Sequence, residues 1–366
     1  MNLLTESLFA ACETRGASDI HLTTGFPPRF RIRGELVELD GFKPFGVKEV
    51  DSVAMDLGLV TLPLGSPDGT ERIRRTLLKE GSIDGAVTSP QGSRYRFNLY
   101  REQDRHAVAL RRLDGEFRSF EALGLPGRLE DFCDEHDGLV VVTGPTGSGK
   151  STTLATMINR INKTRFGHII TIEDPIEYVH SSLRCLVNQR QVGRDTQSFN
   201  TALVEALRQD PDVILIGEVR DLETVRTALR AAETGHLVFA TLHSGDAPGA
   251  IERLVSMFPP EEQAGARRQL SLVLRGVFAQ HLMQDPGGKT RHPAFELLVN
   301  TLAAANLIAT GRTAQLYSVL ETGASQGMCT LDQSLADLVK ARKIDMRPAL
   351  ALSRNPDLLR ARLSSV

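Results

Sequence analysis

Short runs of consecutive apolar residues mark the second half of the chain. Four such runs lie at 139–142, 169–172, 213–216 and 237–242. Unbroken apolar runs of this length are typical of strands that are buried on both faces of a sheet. Helical patterns separate the runs, at 152–163, 198–209 and 222–233. Strands that alternate with helices predict crossover connections, and therefore a parallel sheet with helices on both faces.

The first half of the chain has a different pattern of polar and apolar residues. Residues 94–99 (RYRFNL) alternate polar and apolar side chains, and residues 106–113 follow after a polar turn, so together they predict an antiparallel hairpin. Helical patterns cover 2–14 and 47–57. The segment 61–70 holds two prolines and two glycines and predicts a loop. This half is expected to form a small α+β domain.

The change in the pattern of polar and apolar residues between the two halves predicts two domains. Residues 113–124 include a segment with the Gly-containing composition of a linker. We therefore expect the small α+β domain to span residues 1–115 and a larger α/β domain to span residues 116–366. Beyond Pro259 the pattern is mainly helical, and it ends in an amphipathic helix at 331–339.

Composition and charge narrow the class of protein. The 43 basic and 45 acidic side chains nearly cancel, and only 5% of the residues are aromatic, with no tryptophan. No general attraction to nucleic acid or to an anionic membrane is expected. No apolar run approaches the length of a membrane-spanning helix, and the N-terminus has no basic leader of the signal-peptide kind. We expect a cytoplasmic protein.

The strongest motif is GPTGSGKST, which follows the apolar run 139–142 and precedes a helical pattern. It matches the phosphate-binding loop G-x-x-x-x-G-K-[ST] in full. Glycines let backbone N–H groups converge on phosphate oxygens, and the helix N-terminus adds positive partial charge. Lys150 would reach the outer phosphates, and the Ser151 hydroxyl would join the Mg²⁺ shell. The expected nucleotide-binding residues are Gly144, Pro145, Thr146, Gly147, Ser148, Gly149, Lys150, Ser151 and Thr152.

Acidic residues follow two of the apolar runs. Glu218 comes just after 213–216, at the carboxyl edge where open parallel sheets bind ligands. Glu173, Asp174 and Glu177 follow the preceding run. Carboxylates in these places can hold Mg²⁺ and activate water, although acids are equally typical of a helix N-terminus. The candidate metal ligands are Ser151, Glu173, Asp174 and Glu218.

Two histidines bracket the fourth apolar run. His236 precedes the run and His243 follows it. At the carboxyl end of its strand, His243 could donate to a γ-phosphate oxygen and report the loss of that group. The alternative is that either histidine is an ordinary core or surface residue.

These four strand-end segments, in this order, resemble the secretion and pilus motor ATPases, in which they would be the Walker A motif, the Asp box, the Walker B motif and the His box. The resemblance to the retraction ATPases of type IV pili (PilT-like) covers nearly the whole chain. Residues 16–36 are similar to their PAS-like N-terminal domain, and residues 207–244 and 316–339 are similar to them almost throughout. The resemblance implies a RecA-like α/β domain, a P-loop NTPase fold, preceded by a small PAS-like α+β domain.

The resemblance also implies roles for individual residues. Glu177 would be the catalytic glutamate, and Glu218 would coordinate the phosphates through Mg²⁺. His236 and His243 would couple the nucleotide state to the subunit interface. ATP and Mg²⁺ would be the cofactors.

An assembly is implied as well. Arg96 and Arg111 of the predicted hairpin would reach the nucleotide of a neighbouring subunit in a homohexamer. The ring would dock at the inner membrane on a platform protein of a pilus or secretion machine, and a paralogous motor ATPase is a further candidate partner. ATP hydrolysis would drive pilus retraction and twitching motility.

Two differences from the pattern of the family indicate which branch of the family the chain resembles. The chain has neither the extra N-terminal domain nor the tetracysteine zinc insert of many assembly and type II secretion ATPases, which favours the retraction branch. Residues 303–310 read AAANLIAT where retraction ATPases typically read AIRNLIRE, so both charged ends of that motif are missing. An accessory retraction paralogue (PilU-like), or a motor for another pilus or secretion apparatus, therefore stays open.

Two rival classes are less well supported. A nucleic-acid motor would use a RecA-like sheet too, but a basic stripe with interleaved aromatics is missing, so no nucleic-acid partner is expected. A non-hydrolysing ring subunit would have lost Lys150, Glu177 or Glu218, and all three are present.

Overall fold

The computed structural model describes residues 1–62, 66, 68–113 and 115–364. The chain divides into two compact units. The first unit comprises Met1–Glu116, Glu173–Val179 and Gln189–Ser198. The second comprises Phe117–Ile172, His180–Asn188 and Phe199–Val366.

The division differs from the predicted one in the placement of two segments. The sequence assigned everything from residue 116 onward to one domain, whereas Glu173–Val179 and Gln189–Ser198 group with the first unit. One physical reason is that the Arg94 guanidinium donates two hydrogen bonds, of 3.2 and 3.1 Å, to the backbone carbonyl of Ile176. The predicted linker at 113–124 includes residue 114, which lies outside the described residues.

Among the residues that the structure describes, a six-stranded antiparallel sheet and three helices form the first unit, with the strand order β3-β2-β1-β6-β5-β4. Its elements are α1 (Leu3–Thr14), β1 (Asp19–Leu22), β2 (Arg29–Ile32), β3 (Glu35–Glu38), α2 (Val47–Leu59), α3 (Gly69–Glu80), β4 (Ser82–Thr88), β5 (Arg94–Glu102) and β6 (Arg105–Arg112). Helices α1 and α2 pack on the sheet, where Phe9 and Tyr95 meet with ring centroids 4.4 Å apart. The predicted α+β character of this half is confirmed.

The predicted hairpin consists of β5 and β6. Gln103 and Asp104 connect the two strands, and both have positive φ, at 48° and 60°. Two left-handed residues make the two-residue turn whose twist matches that of the flanking strands. The loop predicted at 61–70 is wrong at its end, because α3 already begins at Gly69; residues 63–65 and 67 lie outside the described residues.

The second unit is built on a seven-stranded sheet with the order β13-β12-β7-β11-β10-β8-β9. Its elements up to residue 242 are α4 (Phe120–Leu123), α5 (Arg128–Asp134), β7 (Gly138–Thr143), α6 (Lys150–Thr164), β8 (Gly167–Glu173), β9 (Cys185–Gln191), α7 (Phe199–Ala206), β10 (Val213–Ile216), α8 (Leu222–Glu233) and β11 (Leu237–Leu242). Strands β8, β10, β11 and β7 pair in parallel. Every residue of β7, β10 and β11 is buried, which explains the unbroken apolar runs.

Beyond Pro259 the described residues are mainly helical, as the pattern predicted, but they also include two strands that the sequence did not predict. Two long strands, β12 (Leu274–Gln284) and β13 (Arg291–Val299), add to the sheet beside β7. Because β12 runs parallel to β7, its carboxyl end comes to the edge at which β7 ends. The remaining helices are α9 (Ala247–Ser256), α10 (Gln263–Val273), α11 (Leu302–Ala309), α12 (Leu316–Thr322), α13 (Leu331–Lys340), α14 (Met346–Leu352) and α15 (Pro356–Ser364), with 3₁₀ turns at Thr313–Gln315 and Ala324–Gln326.

The amphipathic helix predicted at 331–339 is confirmed as α13, which begins with a capping box between Thr330 and Gln333. Within the described residues, no helix combines the length and the apolar character needed to cross a membrane.

Candidate active site

The predicted phosphate-binding loop joins β7 to α6 in the second unit. Gly144, Gly147 and Gly149 have φ values of 144°, 79° and 93°, a region that residues with a Cβ rarely adopt. Helix α6 begins at Lys150 after Gly149, which has no side chain with which to cap it. The first N–H groups of α6 therefore face the loop without a side-chain acceptor from the N-cap, as an anion site requires.

The ammonium group of Lys150 lies inside this loop. Its Nζ donates to the carbonyl oxygens of Gly144, at 2.9 Å, and Pro145, at 3.0 Å. The same Nζ is 3.5 Å from Nδ1 of His243. The single strong positive charge of the loop is thus held at its centre, next to the end of β11.

Glu218 and His243 meet at the same edge of the sheet. Glu218 follows β10 and His243 follows β11, and their Oε1 and Nε2 atoms are 3.2 Å apart. Arg220 donates to the other carboxylate oxygen of Glu218 at 2.6 Å. Burial would raise the pKa of the Glu218 carboxyl, but the hydrogen bonds from Arg220 and His243 outweigh burial and bring the pKa below its usual range. Glu218 is therefore ionised at neutral pH, with His243 beside it.

Sequence reasoning missed Gln280, a buried residue of β12 that packs against the loop. Its Oε1 accepts a 2.6 Å hydrogen bond from the Thr153 hydroxyl in the first turn of α6. A Cβ at Gly144 would lie 2.2 Å from the Gln280 carbonyl oxygen, and a Cβ at Gly149 would lie 2.8 Å from its Nε2. Gly144 therefore requires glycine for close packing as well as for backbone conformation, while a Cβ at Gly149 would displace the Gln280 amide.

His281 is a second residue that the sequence did not point to. Its Nε2 is 3.1 Å from the carbonyl oxygen of Gly245, just beyond β11. With Pro145 and Thr146 it lines two cavities of about 400 and 410 Å³ beside the loop. Only the prediction of β12 as a strand next to β7 would have identified Gln280 and His281.

The acidic segment after β8 belongs to the first unit. Glu177 Oε1 lies 4.0 Å from Nη1 of Arg96, and Glu177 lines a cavity of about 710 Å³ together with Arg94 and Arg112. Glu173 instead accepts a 3.1 Å hydrogen bond from the Gln189 side chain. Glu177 thus lies beside Arg96, at a cavity that Arg94 and Arg112 also line.

Arg96 and Arg111 are direct cross-strand partners on β5 and β6. Arg111 Nε donates to Asp19 at 2.9 Å, yet 71% of the Arg111 side chain is exposed. Burial would raise the pKa of Asp19, but hydrogen bonds from Ser18 and Arg111 bring it below its usual range. An ionised Asp19 thus holds one of two neighbouring guanidinium groups at the surface of the first unit.

The four candidate metal ligands do not come together within one unit. Ser151 and Glu218 belong to the second unit, and Glu173 and Asp174 to the first. In the part of the chain that the structure describes, no three His, Cys, Asp or Glu side chains are gathered as a metal site. A hydroxyl and a single carboxylate fit Mg²⁺ that is held mainly by phosphate oxygens and water, and do not fit a metal site made of protein alone.

His236 lies apart from His243. It precedes β11, at the amino ends of the parallel strands, whereas the phosphate loop lies at their carboxyl ends. Its Nδ1 is 2.9 Å from the carbonyl oxygen of Ala231 at the end of α8. The six-residue strand between the two histidines spans about 20 Å. Within one chain, only His243 belongs to the site of Lys150 and Glu218.

Comparison with known families identifies the fold. Residues 104–341 match the family described as type II/IV secretion system protein. The chain belongs to this family. The RecA-like α/β fold and the resemblance to secretion and pilus motor ATPases predicted from the sequence are both confirmed.

Individual members of the family match almost the whole chain. The type IV pilus retraction ATPase PilT of Pseudomonas aeruginosa is 42% identical over 350 residues, which are 96% of this chain and 98% of PilT. The type IV pilus ATPase PilU of the same organism is 38% identical over 97% of this chain and 90% of its own. A crystal structure of the pilus retraction motor PilT with bound ADP has a TM-score of 0.87, with 42% identity, and covers 99% of both chains. The chain is therefore a close homologue of PilT within the family.

Proposed function

We propose that this protein hydrolyses ATP as a subunit of a homohexameric motor that retracts type IV pili. The observation that carries the proposal is the cluster of Lys150, His243 and Glu218 at the phosphate loop. Those three groups can bind, order and sense a nucleoside triphosphate. The close relationship to PilT supports the retraction of pili as the work that hydrolysis drives.

The loop residues fit ATP. The Lys150 ammonium would exchange its carbonyl partners for the outer phosphates, and the first N–H groups of α6, which no side chain caps, would bind the same anion. Ser148 supports this assignment, because its buried Oγ has no hydrogen-bond partner among the described residues and a phosphate oxygen would provide one. Ser151 and Glu218 would hold Mg²⁺, directly or through water, and the ion would neutralise charge on the phosphates.

Hydrolysis requires a water to be aligned and deprotonated. We assign this role to Glu177, which would accept the proton as the water oxygen bonds to the γ-phosphorus and the bond to the β-phosphate oxygen breaks. His243, between Lys150 and Glu218, would register the departure of the γ-phosphate. Arg96 and Arg111 would act on the nucleotide of a neighbouring subunit, where they would neutralise charge that develops in the transition state.

The proposed setting is the cytoplasmic face of the inner membrane. The ring would dock there on the platform protein of a pilus or secretion machine, and no nucleic acid would take part. These partners follow from the relationship to pilus motors and from the even balance of charge in the chain.

An accessory motor is the second candidate, and one observation favours it. In the stretch 303–310, Ala305, Ala309 and Thr310 stand where retraction ATPases typically have charged residues, and Thr310 is exposed. The buried anchors Ala304 and Ile308 keep α11 in place. The helix is thus retained while its charged surface is lost, as expected of a PilU-like paralogue that works beside another motor.

Two measurements test these proposals. Purified protein should release phosphate from ATP, and a protein that binds ATP without turnover would contradict the motor assignment. Expression in a strain that lacks its own retraction ATPase then separates the candidates. Restored twitching identifies an autonomous retraction motor, whereas twitching that returns only when a second motor is also present identifies the accessory role.

A further inference from the structure

Two buried threonines, Thr143 and Thr241, make hydrogen bonds beyond the last backbone pairs of neighbouring strands. Each threonine contacts the backbone on both sides of one residue of the candidate active site. Backbone pairing of β7 with β11 ends at Thr143 and Leu242, because the chain turns into the phosphate loop at Gly144. Beyond that point, the Thr143 side chain makes the hydrogen bonds to the chain that follows β11. Its hydroxyl accepts a 2.8 Å hydrogen bond from the Ser244 N–H and lies 2.9 Å from the Ser244 carbonyl oxygen.

The same hydroxyl lies 3.3 Å from the carbonyl oxygen of Leu242. Leu242 and Ser244 are the two neighbours of His243 in the chain. A single fully buried hydroxyl therefore ties down the backbone on both sides of His243. These hydrogen bonds hold the His243 backbone in place, and with it the position from which the imidazole reaches Glu218.

Thr241 repeats the arrangement on the other side of β11. Pairing of β10 with β11 ends at Ile216 and Ala240. Beyond that point the Thr241 hydroxyl donates a short hydrogen bond to the Gly217 carbonyl, and the Thr241 carbonyl accepts a 3.1 Å hydrogen bond from the Val219 N–H. Gly217 and Val219 flank Glu218, so Thr241 holds one neighbour of Glu218 through its hydroxyl and the other through its backbone carbonyl.

We propose that Thr143 and Thr241 are positioning residues that set the distance between His243 and Glu218. This inference rests on the proposed ATPase function. The two threonines link the ends of β7, β11 and β10, next to His243 and Glu218. The hydroxyls contribute geometry and do not contact the reacting atoms. Loss of either hydroxyl should therefore slow turnover more than it weakens nucleotide binding.

The test replaces each threonine with valine, which keeps the branched shape and removes the hydroxyl, and with serine, which keeps the hydroxyl. We expect Thr143→Val and Thr241→Val to lower kcat by about tenfold to a hundredfold, as for a misplacement of under an ångström, with a much smaller change in KM. Serine should restore most of the rate. Thr156→Val is the matched control, because the buried Thr156 hydroxyl bonds back to the Thr152 carbonyl within α6, at 3.0 Å.

A double-mutant cycle tests whether Thr143 acts through His243. In a His243→Ala background, Thr143→Val should cost much less than in the wild-type protein, since the residue that it positions is gone. Independent, multiplicative losses would overturn the proposal for Thr143. A kcat within about twofold of wild type for both valine variants, or an equal loss in Thr156→Val, would overturn it for the pair.

Amide hydrogen exchange on the full chain provides a readout without activity. The Ser244 N–H has the Thr143 hydroxyl as its acceptor, so its exchange should accelerate by about tenfold in Thr143→Val and stay near wild type in Thr143→Ser and Thr156→Val. Unchanged exchange at Ser244 would contradict the proposed tether. A wild-type protein that does not hydrolyse ATP would end the proposed function, while the exchange measurement would still decide whether the tether exists.

Discussion

Arg96 and Arg111 face each other directly across β5 and β6, a pairing of like charges on adjacent strands. Such pairs are destabilising when nothing compensates them. Here Asp19 binds Arg111 at 2.9 Å, and Glu177 lies 4.0 Å from Arg96. Both side chains nevertheless stay substantially exposed, at 71% and 47%. Two neighbouring guanidinium groups that stay this open to solvent are expected if an anion from outside the chain approaches them.

The first prediction is that Arg96 and Arg111 act in trans. Arg96→Ala or Arg111→Ala should lower ATP turnover by roughly 10³-fold, in the range found for arginines supplied by a neighbour. Mixed rings that also contain Lys150→Ala subunits should recover part of the activity, because some interfaces then pair an intact loop with an intact arginine. Phosphate release from mixtures whose subunit exchange has been verified by tagged co-purification checks this.

Arg101→Ala is the control, since Arg101 lies on the same strand and pairs with Asp104 at the turn. It should change turnover little, as surface ion pairs are worth about 0–1 kcal/mol. If Arg96 acted only within its own chain, by orienting Glu177, verified mixed rings would stay inactive. That result would contradict action in trans.

The second prediction concerns Lys150. Lys150→Ala should weaken ATP binding and abolish turnover, because the loop loses the positive charge that now lies between the Gly144 and Pro145 carbonyls and His243. Fluorescent-nucleotide titration and phosphate release measure the two effects. Lys163→Ala, at the exposed end of the same helix, is the matched control and should behave as wild type. Near-normal turnover in Lys150→Ala would place the catalytic site elsewhere.

The third prediction separates nucleotide binding from hydrolysis. Glu177→Gln and Glu218→Gln each keep the phosphate loop intact, so ATP should still bind while turnover falls by about 10²-fold or more. Single-turnover phosphate release combined with nucleotide titration resolves the two. Glu173→Gln should leave turnover nearly unchanged, because the Glu173 carboxylate accepts a structural hydrogen bond from the Gln189 side chain. The opposite result, a dead Glu173→Gln and an active Glu177→Gln, would reassign the catalytic acid.

The fourth prediction is a stability that depends on pH through Glu296. This β13 carboxyl is buried and accepts a 2.9 Å hydrogen bond from the Ala247 N–H at the start of α9. Burial raises its pKa to about 7 in the folded protein. The folded state therefore binds the proton more tightly than the unfolded state, and stability falls as pH rises from about 4.5 through about 7.

The loss attributable to Glu296 is about 3 kcal/mol across that window. Thermal melting of the full chain at pH 5, 6, 7 and 8, followed by circular dichroism, should show the wild type losing more stability than Glu296→Gln as pH rises. The glutamine keeps an acceptor oxygen for Ala247 and cannot ionise. Parallel pH profiles for the two proteins would refute the assignment.

Sequence patterns were most informative where burial is complete. Strands β7, β10 and β11 were predicted almost to the residue because both of their faces are covered, which leaves no polar position to interrupt the run. The phosphate loop was equally clear, since its backbone geometry requires glycines at set spacings. Strands β12 and β13 were missed because their polar and apolar residues mix, and Gln280 and His281 were missed with them.

The chain by itself determined the family, the central strands and the glycine-rich loop between β7 and α6, because each is written in a local pattern of residue types. Tertiary structure alone decided which side chains meet. Strand register made Arg96 and Arg111 partners. Strand order brought Lys150, His243 and Glu218 to neighbouring strand ends. The hydrogen bonds of Arg94 to Ile176 joined Glu173–Val179 to the first unit. Contacts between residues distant in the chain depend on strand order and pairing, and no local pattern encodes them.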